Sequence, residues 1–203
     1  MNAVDELEVI GENLATQYAE EIYTRPEIMQ PLAQAIAKDT QAIPEKYPSA
    51  EAQLDYVSKE LLSVMNGGVI LINRFVQRIK DGQYDEVSEQ FLLEELDHFT
   101  VDEKATAPVL AGMKQTLGEV VKQGLPIQVL LYDNYLSEYA ANLMVIHVLS
   151  RVSQRQELLA KIHTEIQETT LEKQLYQNFK QLTEQFKKSL NLQPYQYEAM
   201  LKD

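Results

Sequence analysis

Apolar residues recur every three or four positions along most of the chain, with polar residues between them, which is the signature of amphipathic helices. Val4, Leu7, Ile10, Leu14, Tyr18 and Ile22 form one such stripe and predict a helix over residues 2–23. Thr24 and Pro26 have the form of an N-cap and a first-turn proline, opening a second helix to about Lys38. The stretch from Asp39 to Pro48 carries Pro44 and Pro48 and reads as a loop. Ser49 can cap the next helix, but Ala52 stands where a full capping box needs Glu or Gln.

The helix expected from Ala50 to about Lys80 presents Leu54, Val57, Leu61, Val64, Ile72, Phe75 and Ile79 on its buried side. Gly67 and Gly68 interrupt it. Each costs roughly 1 kcal/mol relative to alanine inside a helix, so the pair should mark a kink, a close helix crossing or a ligand lying on bare backbone. Asp81 and Gly82 end this helix, and a short one with Val87, Phe91, Leu92 and Leu96 follows, reaching His98. Another spans about Asp102 to Lys122, where Gly124 and Pro126 mark a stop and restart. From Ile127 the apolar spacing runs through Leu131, Tyr135, Leu136, Tyr139, Leu143, Ile146 and Leu149 and on to Glu168. The last helix, Leu171 to Leu190, is polar apart from Leu175, Phe179, Leu182 and Phe186, a stripe wide enough for one neighbour or one partner chain.

These patterns predict an all-α fold, with a helical domain over residues 1–150 and a C-terminal helical extension over 151–203 that packs on the domain or on a partner chain. Composition agrees: 45% of the 203 residues are apolar, and only seven are glycine and seven proline, too few for a loop-rich β architecture. A net charge of −13 disfavours nucleic acid and acidic lipid as partners, because both are bound through Lys and Arg. The absence of cysteine excludes disulfides, thiolate metal sites and thioether-linked cofactors. The acidic N-terminal segment lacks the form of a signal peptide, and Val64 to Phe75 is too short and interrupted to span a bilayer, so a cytoplasmic location and no membrane partner are expected.

Candidate chemistry is sparse. There is no phosphate loop, nucleophile elbow or paired-histidine metal motif. Glu95 and His98 have the i, i+3 spacing of a di-iron carboxylate site, but Met144 and Ala160 stand where a second Glu would precede His147 or His163. His98 is the candidate metal ligand, as a lone axial ligand of a haem; the alternative is a histidine that only meets the negative end of a helix dipole. His147, in the apolar run NLMVIHVLS, reads as a core residue, and His163, among charges, as solvated. Tyr132, Tyr135 and Tyr139 share a helical face and are expected to pack. Glu94, Glu95 and Asp97 form an acidic cluster that reads as a solvated helix face, so no enzyme is expected.

The order of helix lengths resembles the globin fold, and LEELDHFTVDE looks like the globin stretch that carries the proximal histidine. At strict register the ligand position falls on Asp97, and His98 follows one residue later, about 100° further round a helix. A closer resemblance is to the phycobiliprotein family. TRPEIMQP (Thr24 to Pro31) is similar to that family's proline-flanked turn. ILINRFVQRIKDGQYDEVSEQFLLEEL resembles its Arg-aromatic-Val helix, turn and Leu-rich helix, and VLAGMKQTL its next helix. The family's chromophore-attaching cysteine would fall near Val64 and its bilin-holding aspartate near Gly67, so the covalent pigment site is absent.

The resemblance implies a globin-like, non-enzymatic relative without covalent pigment. Such a relative would bind haem or bilin noncovalently around Gly67, Gly68, Arg74 and His98, or use its surface to bind a partner. The alternative is a non-haem globin-like sensor or adaptor module, which GLPIQVLLYDNYLSEYAANLM broadly resembles, acting through protein–protein contact or as a homodimer through residues 171–190.

Overall fold

The computed structural model describes residues 1–23, 25–84, 87–97, 102–189 and 195–202. Among these the regular structure is helical and no strand occurs, so the fold is all-α. The helices are α1 (Ala3–Tyr18), α2 (Pro26–Gln41), α3 (Ile43–Lys46), α4 (Ala50–Lys80), α5 (Glu89–Asp97), α6 (Glu103–Lys122), α7 (Ile127–Val152), α8 (Gln156–Glu168), α9 (Leu171–Ser189) and α10 (Tyr197–Met200). None is long and apolar enough to cross a membrane.

Local signals set most boundaries. Asn2 and Asp5 make a reciprocal capping box at the start of α1, which ends in a π-helical turn, Ala19–Tyr23. Thr24, the expected cap of α2, lies outside the described residues, and Arg25 holds the N-cap place without a side-chain hydrogen bond. Ser49 Oγ accepts from Ala52 N at 3.1 Å, the half-box anticipated at α4. Gly82 closes α4 with a φ of +70°, a left-handed conformation in which glycine has no Cβ penalty. Gln83 N then bonds to Arg78 O and Gly82 N to Ile79 O, completing a Schellman motif.

Two expectations need correction. The predicted loop from Asp39 to Pro48 is partly helical, since α2 continues to Gln41 and α3 forms at Ile43–Lys46. The single helix expected from residue 126 to 168 breaks between Val152 and Gln156. Ser153 Oγ stands 2.8 Å from Val87 O and 2.7 Å from Ser150 O, and Gln156 Nε2 donates to Ser153 O, so side chains meet backbone groups left open by the break.

The described chain forms two compact units, interleaved in sequence. The first comprises Met1–Thr24, Asn66–Phe99 and Ala140–Ser189. In it α8 and α9 both pack against α1. The narrow stripe of α9 is buried here: Leu175, Phe179, Leu182 and Phe186 are all covered, and Phe179 meets Phe75 edge-on at 5.7 Å. Gly11 permits the close approach, because a Cβ there would lie 3.3 Å from Leu182 Cδ2. Of the two expected uses of this stripe, packing on a neighbour of the same chain is the one seen. Polar ties reinforce it, with Glu165 accepting from Ala3 N and Gln174 Nε2 donating to Asp5. The boundary expected at residue 150 falls within α7.

The second unit comprises Arg25–Met65, Thr100–Tyr139 and Leu190–Asp203. Its core joins Ile43, Val57, Leu61, Val64, Leu117, Ile127, Leu130 and Leu131, with Tyr47, Tyr56, Tyr135 and Tyr139 partly buried against it. Each fully buried aliphatic side chain contributes about 1.5–3 kcal/mol relative to exposure. Tyr132 is fully buried, donates to the carbonyl of Tyr195 and meets Tyr197 at 5.3 Å, and α10 lies against α2. On the surface, hydrogen bonds from Lys114 and Lys59 hold the Asp55 carboxyl below its usual range.

Candidate functional site

Gly67 and Gly68 sit inside an uninterrupted α4. A Cβ on Gly67 would stand 2.6 Å from both Asn142 Nδ2 and Leu96 Cδ1, and one on Gly68 would be 3.2 Å from Asn142 Oδ1. Asn142 of α7 is only 2% exposed. The bare backbone is thus covered by side chains of α5 and α7, the arrangement of a close helix crossing. Arg74, the third expected pocket residue, has its Nε 3.3 Å from Glu95 Oε2, and its side chain is 64% exposed. An ion pair so exposed contributes little stability. His98, expected as cofactor and metal ligand, lies outside the described residues.

The other two histidines have defined surroundings. His147 is half-buried with its ring 4.5 Å from that of Tyr18. Burial, then the nearby Arg151 charge, pushes its pKa below the usual value and favours a neutral ring. His163 was expected to be solvated but is half-buried, with Nδ1 2.8 Å from Ile79 O at the end of α4. Of the acidic cluster, Glu95 is engaged by Arg74, Glu94 accepts from Gln90 Nε2, and nothing is described for the Asp97 side chain. Among the described residues no group of three His, Cys, Asp or Glu side chains is placed to hold a metal ion.

A concave feature that sequence reasoning missed lies wholly in the second unit. A pocket of about 80 Å³ is lined by Ile36, Asp39 and Thr40 of α2, Tyr56 and Glu60 of α4, and Leu131 and Tyr135 of α7. Ile36, Thr40 and Leu131 are buried and form its floor, Tyr56 and Glu60 are half-buried, and Asp39 is exposed. Tyr47 stacks on Tyr56 at 4.4 Å between ring centres, and Tyr135 stacks on Tyr139 at 6.0 Å, so each lining ring has a stacked aromatic neighbour.

Electrostatically the pocket is negative. Burial pushes the Glu60 carboxyl above its usual range. The Tyr56 hydroxyl is pushed up to about 12, chiefly by burial and then by the charge of Glu60, with smaller contributions from Tyr47, Tyr135 and Asp39. Tyr56, Glu60, Asp39 and Tyr135 all line this one pocket. Its sequence traces were the i, i+4 spacing of Tyr56 and Glu60 and the face carrying Tyr135, and neither indicates which helix lies opposite.

A wider open groove of about 660 Å³ in the first unit is walled by Asn73, Gln77, Thr169, Thr170, Lys173 and Tyr176, and its carboxylate, Glu172, is held by Lys80 at 2.9 Å. No family model matches the chain, and neither the curated proteins nor the solved structures contain a match.

Proposed function

We propose that this chain is a non-enzymatic, pigment-free helical protein that acts by binding a partner protein in the cytoplasm. The observation that carries the reading is the filled space over Gly67 and Gly68, where Asn142 and Leu96 stand against the backbone that a tetrapyrrole would need. Val64 at the place of the pigment-attaching cysteine, and Arg74 turned to Glu95, support the same reading. The globin-like topology and the relationship to phycobiliproteins rest on the sequence motifs and helix order. A homodimer through residues 171–190 would use the polar outer face of α9, because its apolar stripe is buried in the first unit.

The competing reading is noncovalent haem or bilin binding near His98. Titration of the purified protein with haemin and with biliverdin separates the two. The pigment-free reading expects no saturable Soret or bilin band. A one-to-one band that weakens in His98→Ala overturns it.

A further inference from the structure

We infer that the pocket formed by α2, α4 and α7 in the second unit binds a primary alkylammonium group, with Glu60 and Asp39 as counter-charges and Tyr56 and Tyr135 as aromatic walls. Among the described residues the lining includes two carboxylates and two tyrosines but neither Lys nor Arg, so its anions outnumber its cations. Electron-rich tyrosine faces attract an ammonium, and the attraction grows where water is partly excluded. Glu60 is half-buried, so an incoming cation offsets a desolvation cost that the protein already bears.

Size and donor chemistry narrow the ligand. About 80 Å³ is room for an ammonium with a short alkyl chain, and it is far too small for a tetrapyrrole, nucleoside or sugar. Among the described residues the two carboxylates have no third acidic or histidine side chain beside them, which falls short of the oxygen-rich shell of a divalent cation. A primary ammonium presents three N–H donors, and the pocket supplies acceptors to match: the carboxylates of Glu60 and Asp39, and the Thr40 oxygen, whose own hydrogen goes to Ala37 O at 2.9 Å. The apolar floor of Ile36 and Leu131 suits the adjoining methylenes. Stacking of the two rings on Tyr47 and Tyr139 lowers the ordering cost of binding.

The same chemistry is offered by a free amine and by a lysine side chain of a partner protein, and two probes distinguish them. Calorimetric titration of the intact protein with n-butylammonium chloride, and with lysine blocked at both its backbone ends, is run against sodium chloride of equal ionic strength. Saturable binding at about millimolar concentration is expected for at least one amine. Glu60→Gln should weaken it about tenfold or more, with Asp39→Asn and Tyr56→Leu each weakening it less. Binding of butylammonium alone assigns a free amine, whereas binding of the blocked lysine, with or without butylammonium, shows that a partner's lysine side chain can enter, which deepens the partner reading. Circular dichroism confirms that each variant is folded, and Asp39→Asn, at an exposed position, provides the test should Glu60→Gln fail to fold. No saturable heat with either amine, or binding undiminished in both folded carboxamide variants, overturns the inference. That result leaves the pigment titration unaffected, so the two proposals fail separately.

Discussion

The imidazole of His163 closes the C-terminus of α4, with Nδ1 2.8 Å from the carbonyl oxygen of Ile79. A carbonyl only accepts, so Nδ1 carries the hydrogen. The bond adds a second donor to a carbonyl that already accepts from Gly82 N, at the end of a 31-residue helix where its partial negative charge gathers. His163→Ala should cost about 1 kcal/mol, a fall in Tm of roughly 2–4 °C. His163→Asn, whose amide nitrogen lies near the place of Nδ1, should recover part of it. Equal losses in both variants in thermal melts would show that the ring acts by packing alone.

Glycine replacements should split by site. Alanine at Gly67 gains about 1 kcal/mol of helix propensity but forces Asn142 and Leu96 away from a Cβ 2.6 Å distant, and overpacking of that kind costs about 1–3 kcal/mol. Among the described residues nothing lies within 4 Å of a Cβ at Gly112, in the middle of α6. Chemical denaturation should therefore rank Gly112→Ala above the parent and Gly67→Ala below it. A stabilised Gly67→Ala would mean that space is open over α4 after all, which would return the pigment reading to favour.

Much of this was legible in the sequence, and the failures have physical causes. The stripe from Leu54 to Ile79 sets α4, and Gly82 ends it, because both signals are local. The sequence does not choose between crossing and ligand at Gly67 because Leu96 and Asn142, which decide it, are remote along the chain. Apolar spacing runs unbroken through Val152, so the end of α7 is invisible until Ser153 is seen beside Val87 O. The pocket is hidden in the sequence for a related reason: its residues come from three helices, and the prolines after Asp39 suggest a loop where the last turn of α2 runs on to Gln41.

Ser58 Oγ is fully buried and has no hydrogen-bond partner among the described residues. A buried hydroxyl left unpaired costs about 1–3 kcal/mol, so Ser58→Ala should raise stability by more than the few tenths that helix propensity supplies. An increase in Tm of about 2–4 °C is the expected outcome. A decrease would reveal a bonding partner for the hydroxyl in solution.

Glu60 makes stability depend on pH in a defined direction. Burial raises its carboxyl above the ordinary value of 4.5, so the folded protein holds this proton more tightly than the unfolded chain does. Its contribution is fully present below the unfolded pKa and is lost as pH rises through the folded one. Asp39, Tyr56 and Tyr135 share the pocket, and among the described residues neither Lys nor Arg lines it to reverse the sign. Glu60→Gln, which cannot ionise, should melt above the parent near neutral pH, with the gap closing below about pH 4. A gap that is constant with pH would remove ionisation as its cause.

The stacked pair Tyr47 and Tyr56 has a spectroscopic consequence. The chain contains eleven tyrosines and no tryptophan, so no indole drains the phenol emission by energy transfer. Tyr56 borders the pocket and its ring lies 4.4 Å from that of Tyr47, which makes its fluorescence sensitive to whatever displaces water beside it. The unlabelled protein carries its own reporter of whether that pocket is filled.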